Sequence, residues 1–429
     1  MLDKILDTLS QKKILILGYG REGRSSLQFI RTYLPDCVPG IADSNPNAFE
    51  NPIKDELKNC KLFAGINYLD SIPLYDFIIK SPGISLLYID TGKAIISSQT
   101  DLFMMAYASQ TIGITGTKGK STTTSLIFHL LKESLFDCVL AGNIGIPCFE
   151  VIPTINYKTW VVFELSANQL QSIQHSPHIA VLLNVFEEHL DHFGTFEKYK
   201  EAKYNICKFQ HIDDALVCHR DFLPEIRVAH EMLLQFPLGL LSENENKMPI
   251  KGAHNRLNIE AALLAVHAAG VDMEQAKLHL HSFRGLPHRL EIIGTYDGVT
   301  FINDSIATIP EATIAALDTF DNVDYLLLGG FDRGIEYNAL IEYLLDNPVP
   351  NLLFTGKAGE RMMKLLGKYT IESKIMTYDS MNEAFDIMRK NYKENSICLL
   401  SPAAASYDAY KNFEHRGDTF RQLARNFNQ

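Results

Sequence analysis

The sequence holds a single tryptophan, and its seven cysteines (Cys37, Cys60, Cys138, Cys148, Cys207, Cys218 and Cys398) are scattered, odd in number and never spaced CxxC. Neither a disulfide framework nor a zinc site is indicated, and each cysteine is expected as a small buried apolar residue. Positive charge is also short, since 40 Lys and Arg against 51 Asp and Glu leave a formal charge of −11. That sign is wrong for wrapping a nucleic-acid backbone, so no nucleic-acid partner is expected, while a nucleotide stays open as a small ligand. No run approaches the roughly 18 apolar residues that cross a bilayer. The opening MLDKILDTLSQKK lacks the apolar core and cleavage site of a signal peptide. The expectation is a cytoplasmic chain without a membrane span.

What is present is an ordinary globular composition, 46% hydrophobic and 21% charged over 429 residues. At about 150 residues per domain this suggests roughly three domains. Short apolar runs ending in Gly, Ser or Asp and followed by helical patterns recur along the chain, the mark of strand and crossover-helix units in parallel sheets. Strands are expected over 13–17, 77–80, 111–115, 160–164, 179–184, 325–328, 351–354 and 397–400, with a new strand pattern at 290–294 and 299–302. Breaks at the polar stretch 97–101 and at the turn-rich Arg284, Gly285, Leu286 and Pro287 give three α/β domains, 1–99, 100–285 and 286–429.

The strongest local signal is the strand 111–115 followed by Gly116, Thr117, Lys118, Gly119, Lys120, Ser121 and Thr122, then a helix with Leu126, Ile127, Leu130 and Leu131 on one face. It has the form of a P-loop: backbone N–H groups close around phosphate oxygens, the helix N-terminus adds its positive end, Lys120 reaches the terminal phosphates and Ser121 holds Mg²⁺. The strict pattern wants Gly at position 114, where this chain has Ile114. A second signal, Gly18, Tyr19, Gly20, Arg21, Glu22 and Gly23 after a strand, with Asp43 closing another short strand, is a dinucleotide fingerprint by spacing. The glycines alone leave three readings open: tight packing only, a nicotinamide cofactor, or the diphosphate of another nucleotide.

Two further apolar strands end in polar clusters. One closes on Glu164, and a carboxylate at the end of a strand beside a P-loop commonly lies near the Mg²⁺. The other runs into Glu187, Glu188, His189, Asp191 and His192. These histidines belong either to a solvated loop or, because ligands bind past the C-terminal ends of parallel strands, to a site. In the last third, Asn303, Asp304 and Ser305, then Gly329 and Gly330, Thr355 and Gly356, and Ser401 and Pro402 each follow a strand, where helix caps alone would explain small polar residues.

Taken as a set, the segments resemble the Mur ligases, the ATP-dependent amide-forming enzymes of peptidoglycan synthesis. The matching pieces are TGTKGKST at 115–122, GNIG at 142–145, FELSANQL at 163–170, NVFEEHLDH at 184–192, EAKYNI at 201–206, HNRLN at 254–258, LPHRLE at 286–291 and NDSIAT at 303–308. SPG at 81–83 and LSPAAASYDAYKNFEHRGDTF at 400–420 resemble the member that adds D-glutamate to UDP-N-acetylmuramoyl-L-alanine, and the DNPR-type signature of the diaminopimelate-adding relative is absent. The C-terminal motif speaks against the L-alanine-adding ligase and folate polyglutamate synthetase. A GTPase-like switch would want an NKxD motif, which the chain lacks.

The resemblance implies three domains, each with a mostly parallel sheet: Rossmann-like at the N-terminus, P-loop ATPase-like in the centre and Rossmann-like at the C-terminus, closing around the substrates about a hinge near 284–287. It implies ATP held by residues 116–122, Asn258, Arg289 and Asp304, with Lys120 on the β/γ-phosphates. Asn143 would lie near the reacting carboxylate, Ser121 and Glu164 near one Mg²⁺ and His189 near a second. The UDP substrate, rather than NAD, would be held by Gly20, Arg21, Glu22, Asp43, Ser44, Asn45 and Ser81. For D-glutamate it implies Thr308, Ser406 and Phe413. Members often carry Lys in NDSKAT where this chain has Ile306, and Arg333 could supply the carboxylate contact. It further implies that Lys203 is carbamylated and serves as an anionic ligand beside Glu164 and His189, which requires nearby cation charge to favour the neutral amine. A monomer is expected.

Overall fold

The computed structural model describes residues 1–49, 57–86, 89–144, 146–225, 230–241, 253–283, 285, 287–320 and 322–428. Gly145 of the GNIG segment, Leu286 of LPHRLE and the hinge positions 284 and 286 lie outside these residues, as does the side chain of Asp191. The chain divides into two compact units, one holding the described residues up to Phe283 and the other those from Gly285 on.

The first unit contains two sheets. One takes β1 (Ile14–Leu17), β2 (Gly40–Asp43), β3 (Lys61–Ala64), β4 (Phe77–Lys80) and β5 (Ile95–Ser97) in the order β3-β2-β1-β4-β5, every pair parallel. The other takes β6 (Thr111–Thr115), β7 (Cys138–Gly142), β8 (Trp160–Glu164), β9 (Ile179–Leu182), β10 (Ala215–His219) and β11 (Met232–Phe236) in the order β11-β10-β9-β6-β8-β7, again all parallel. Strand order reverses at β1/β4 and at β6/β9, the places where open α/β sheets receive ligands. The glycine turn follows β1 and the P-loop follows β6. One apolar core cluster runs through both sheets, from Ile14 and Ile16 to Phe163 and Leu182, with Phe29 and Phe149 in ring contact at 4.2 Å, while Leu15, Leu17 and Ile78 belong to a second cluster.

The second unit is one sheet of β12 (Glu291–Tyr296), β13 (Val299–Asn303), β14 (Val323–Gly329), β15 (Asn351–Thr355), β16 (Lys374–Thr377) and β17 (Ser396–Leu400), in the order β12-β13-β17-β14-β15-β16. Only β12 is antiparallel to its neighbour. Alternate residues of β14 feed opposite faces: Leu326 and Leu328 pack with Leu352 and Phe354, while Tyr325 and Leu327 pack with Leu353 and Phe301. Burial on both faces is why such strands read as unbroken apolar runs. β17 pairs with both β13 and β14, which sets the residues after Asn303 beside those after Leu400.

Two expectations need correcting. The run expected over 179–184 ends as a strand at Leu182, because Asn184 turns to bond the P-loop. Of the cysteines, Cys138, Cys148, Cys218 and Cys398 are buried, but Cys37, Cys60 and Cys207 are only partly covered. Cys37 and Cys60 stand just before β2 and β3 at the open side of the first sheet. No helix of the described residues is long and apolar enough to cross a membrane.

Candidate active site

The P-loop leaves the fully buried β6 at Gly116 and enters the helix Lys120–Glu133. Gly119 caps that helix at φ +88°, and a Cβ there would stand 2.3 Å from Asn258 Oδ1. Asn258 is buried on the helix Ala253–Ala268, which therefore backs the loop. Asn184 clamps the loop from the β9 side: its side chain accepts from the Lys118 amide at 2.9 Å and donates to the Lys118 carbonyl at 3.0 Å. Thr117 faces inward, its hydroxyl 3.2 Å from the Tyr199 hydroxyl. Ser121 and Thr122 are half-buried on the first helical turn, and Lys118 is exposed.

Lys120, Asn143, His189 and Lys203 line one open cavity of about 360 Å³ together with Glu22 and Gln169, within the range of small-ligand clefts. Glu164 ends β8 just behind it. One of its oxygens accepts from the Asn143 side chain at 3.0 Å, and the other is buried with no hydrogen-bond partner among the described residues. His189 is exposed and adopts left-handed backbone at φ +56°, with Nε2 3.7 Å from a Glu188 oxygen. Lys203, on the helix Phe196–Lys208, is only 1% exposed. Its Nζ donates to the Gly116 carbonyl at 2.8 Å and lies over the Tyr199 ring. Burial pushes its amine down to about 6, with the Lys120 charge a second cause and Glu188 opposing. Cation charge is thus the lesser reason and desolvation the greater.

The buried Glu164 oxygen without a partner is what a Mg²⁺ ligand would leave. Among the described residues no three His, Cys, Asp or Glu cluster for a metal ion, so Glu164 and the Ser121 hydroxyl fit Mg²⁺ that takes its other ligands from phosphates and water. Lys203 as an ammonium offers no lone pair.

At the glycine turn, Gly18 (φ +95°) leaves no room for a side chain, since a Cβ would meet Ser81 Oγ at 2.6 Å, and one on Gly23 would meet the Gly18 carbonyl at 2.0 Å. Gly20 is open and caps the helix Arg21–Tyr33. Asp43 accepts from the Tyr19 amide at 2.7 Å and the Asn45 amide at 2.8 Å, so it shapes both loops. Arg21, Ser44 and Asn45 are exposed. Glu22 accepts from Gln169 at 2.8 Å, and burial raises its carboxyl against that bond and the charge of Lys80. Gln169 in turn completes a capping box with Ser166, two residues beyond Glu164.

In the second unit Asp304 is 4% exposed, and its oxygens accept from Ser401 at 2.8 Å and the Leu290 amide at 3.1 Å. Burial pushes it up to about 7, opposed by those two bonds and by Arg289. Arg289 and Thr308 are half-buried and Arg333 is exposed; Arg333 donates to the Thr308 carbonyl at 2.9 Å. Ser406 is buried, and Phe413 opens the helix Phe413–Arg425, its carbonyl accepting from Ser305 at 2.8 Å. Ile306 is half-buried, its amide on the His288 carbonyl at 3.1 Å.

Sequence reasoning passed over Asn184, Tyr199, Gln169, Lys80 and Arg416. Arg416 is the clearest: buried, it donates to Ser305 Oγ and to the carbonyls of Ser305, Ala404 and Ala405, so one guanidinium ties the Asp304 loop to the Ser406 loop. The signal was a cation inside a small-residue and aromatic segment.

Residues 114–231 match the Mur ligase middle domain and residues 288–404 the Mur ligase glutamate ligase domain. The chain is 32% identical to UDP-N-acetylmuramoylalanine--D-glutamate ligase of Clostridium tetani over 97% of each chain. It is 33% identical to the enzyme of that name from Leuconostoc citreum, over 97% of this chain and 98% of the relative. Among solved structures, UDP-N-acetylmuramate-alanine ligase MurC from Thermotoga maritima shares the fold at a TM-score of 0.58 and 17% identity, covering 97% of this chain and all (100%) of that one. The MurF ligase from Thermotoga maritima in complex with ADP does so at 0.54 and 18%, over 99% and 100%. A P-loop backed by Asn258, a carboxylate behind Asn143 and likeness to D-glutamate ligases along nearly the whole chain agree: the chain belongs to the Mur ligases, in the family of the UDP-N-acetylmuramoylalanine--D-glutamate ligases.

Proposed function

We propose that this chain joins D-glutamate to UDP-N-acetylmuramoyl-L-alanine, converting ATP to ADP and phosphate through an acyl phosphate. The observation that carries the reading is the cavity on which Lys120, Asn143, His189 and Lys203 meet, with Glu164 behind it. A carboxylate oxygen of the L-alanine unit attacks the γ-phosphorus as the bond to ADP breaks. The D-glutamate amine then attacks the acyl carbonyl, loses a proton and expels phosphate. Several anionic oxygens must be gathered, so fixed positive charge and N–H donors are the main requirement. Lys120 and the amides of 116–119 hold the β/γ-phosphates, and Asn143 orients the reacting carboxylate. Mg²⁺, held by Ser121 and Glu164 with His189 near a second ion, would neutralise phosphate oxygens.

Lys203 is carbamylated in this reading. Its buried amine, pushed down to about 6, is largely neutral at pH 7 and so nucleophilic toward CO₂. The N–C bond forms as the amine gives up a proton, leaving an anionic oxygen ligand of the kind Mg²⁺ prefers. The glycine turn takes the diphosphate at Gly20 and Arg21, with Glu22 in its first helical turn shaping the site and Asp43, Ser44, Asn45 and Ser81 around the nucleoside. Asn258, Arg289 and Asp304 serve ATP, and Thr308, Arg333, Ser406 and Phe413 serve D-glutamate. Three substrate modules, 1–99, 100–285 and 286–429, a cytoplasmic location and a monomer complete the proposal.

The test is incubation with ATP, Mg²⁺, UDP-N-acetylmuramoyl-L-alanine and either enantiomer of glutamate, with phosphate release and product mass as readouts. One added glutamyl unit from the D enantiomer alone is expected. Absence of product, or equal use of L-glutamate, overturns the reading.

A further inference from the structure

β4 is an apolar strand that ends on a charge: Phe77, Ile78 and Ile79 lead to Lys80, which is 7% exposed and pairs with Leu17, the last residue before the glycine turn. A lysine is rarely buried so deeply without a partner. Its ammonium donates to the Ser81 carbonyl at 3.1 Å and the Ile84 carbonyl at 2.9 Å, so the corner at 81–84 wraps around it. That corner sits directly on the turn: the Ser81 hydroxyl donates to the Gly18 carbonyl at 3.2 Å, and a Cβ on Gly18 would strike both Ser81 and Ile84.

The counter-charge is close. Glu22, in the first turn of the helix that begins at the glycine turn, lines a narrow recess with Lys80, Ser81 and Gln99. One Glu22 oxygen is taken by Gln169, and the other is buried with no hydrogen-bond partner among the described residues.

We infer that Lys80 is a positioning residue of the nucleotide-sugar site: it fastens the 81–84 corner to the glycine turn and sets a buried positive charge beneath it, which Glu22 opposes. Desolvation lowers the Lys80 amine while Glu22 raises it, as a buried pair sharing one recess should. In such a medium a fixed cation acts on an anionic ligand with little screening. The inference rests on the glycine turn being the UDP-substrate site. It assigns opposite effects to two neighbours, which a purely structural role for either would not.

Steady-state kinetics of the full chain with all three substrates test it. Lys80→Met is expected to raise KM for UDP-N-acetylmuramoyl-L-alanine about ten-fold, roughly the loss of one modest charge-assisted contact, with kcat and the KM for ATP and D-glutamate little moved. Lys80→Arg should recover part of the loss, and Glu22→Gln should lower the same KM. An unchanged KM in a folded Lys80→Met, equal loss for all three substrates, or no rescue by arginine overturns the inference. Should Lys80→Met not fold, Glu22→Gln decides alone, and an unchanged or raised KM refutes the charge balance. A wild-type chain that does not turn over the UDP substrate refutes the functional reading instead.

Discussion

Lys120 and Lys203 meet at one atom: both amines donate to the Gly116 carbonyl, at 2.9 and 2.8 Å. Two cations on one oxygen repel, and Lys203 is the more deeply buried, so its proton is the one disfavoured. A carbamate on Lys203 would turn that repulsion into attraction. Lys203→Ala is therefore expected to be nearly inactive and to regain part of its rate when short-chain carboxylic acids supply the missing anion, and depletion of bicarbonate should slow the wild type. Wild-type rates in the alanine variant, or indifference to both bicarbonate and carboxylate, would refute the carbamate.

Lys120→Met should keep the fold, because the amine donates to the Gly116 and Thr117 carbonyls of its own loop. Phosphate release should fall on the order of 10²-fold or more, the usual cost of losing one preorganised charge at a reacting oxyanion. Melting curves confirm the fold, and a folded variant with normal turnover would remove Lys120 from the chemistry.

Asp304 gives the second unit a pH signature. Its folded value, about 7, lies above the ordinary 3.8, so between those limits the folded chain binds more protons than the unfolded one. Stability must therefore fall as pH rises from about 4 to 7. Asp304→Asn removes that slope and should melt higher than wild type at pH 8, by roughly 2–4 °C per kcal/mol recovered, with the difference shrinking toward pH 4. Equal melting differences at both pH values would contradict the burial argument.

Arg416→Met leaves the carbonyls of Ser305 and Ala404 without their shared donor, while the Ala405 carbonyl keeps the Phe331 amide. A loss of about 2–4 kcal/mol is expected in denaturant unfolding, since each buried unpaired acceptor costs about 1–3 kcal/mol before relaxation. Arg416→Lys should restore part of the stability and less of the D-glutamate KM, because one ammonium cannot reach both loops as a planar guanidinium does.

Arg333 tests the proposed D-glutamate pocket. Arg333→Met should raise KM for D-glutamate about ten-fold with the ATP KM unmoved, the scale of one exposed charge-assisted contact. An unchanged D-glutamate KM would send the carboxylate to another cation.

Strands β6, β8 and β14 and the phosphate motifs were legible because burial on both faces leaves an unbroken apolar run. β3 and β16, with mostly exposed residues, carry no such run and went unseen. The shared core of the first two sheets was likewise invisible, since Phe29 and Phe149 are far apart in sequence and nothing local marks them as partners. For the site, Lys120 opens the helix after the β6 loop and Glu164 ends β8, so both could be found by pattern. The meeting of Lys203 with Gly116, and of Arg416 with two loops, depends on which helix lies over which strand end. Periodicity cannot supply that.

Gly119 and Asn258 have a consequence for how the chain is made. The space a side chain at 119 would need is filled by a residue on a helix that leaves the ribosome much later. A nascent chain halted before residue 253 would carry every letter of the phosphate motif and still lack the wall behind it. The loop is thus written early and walled in late, and its completion reports that most of the first unit has already been synthesised.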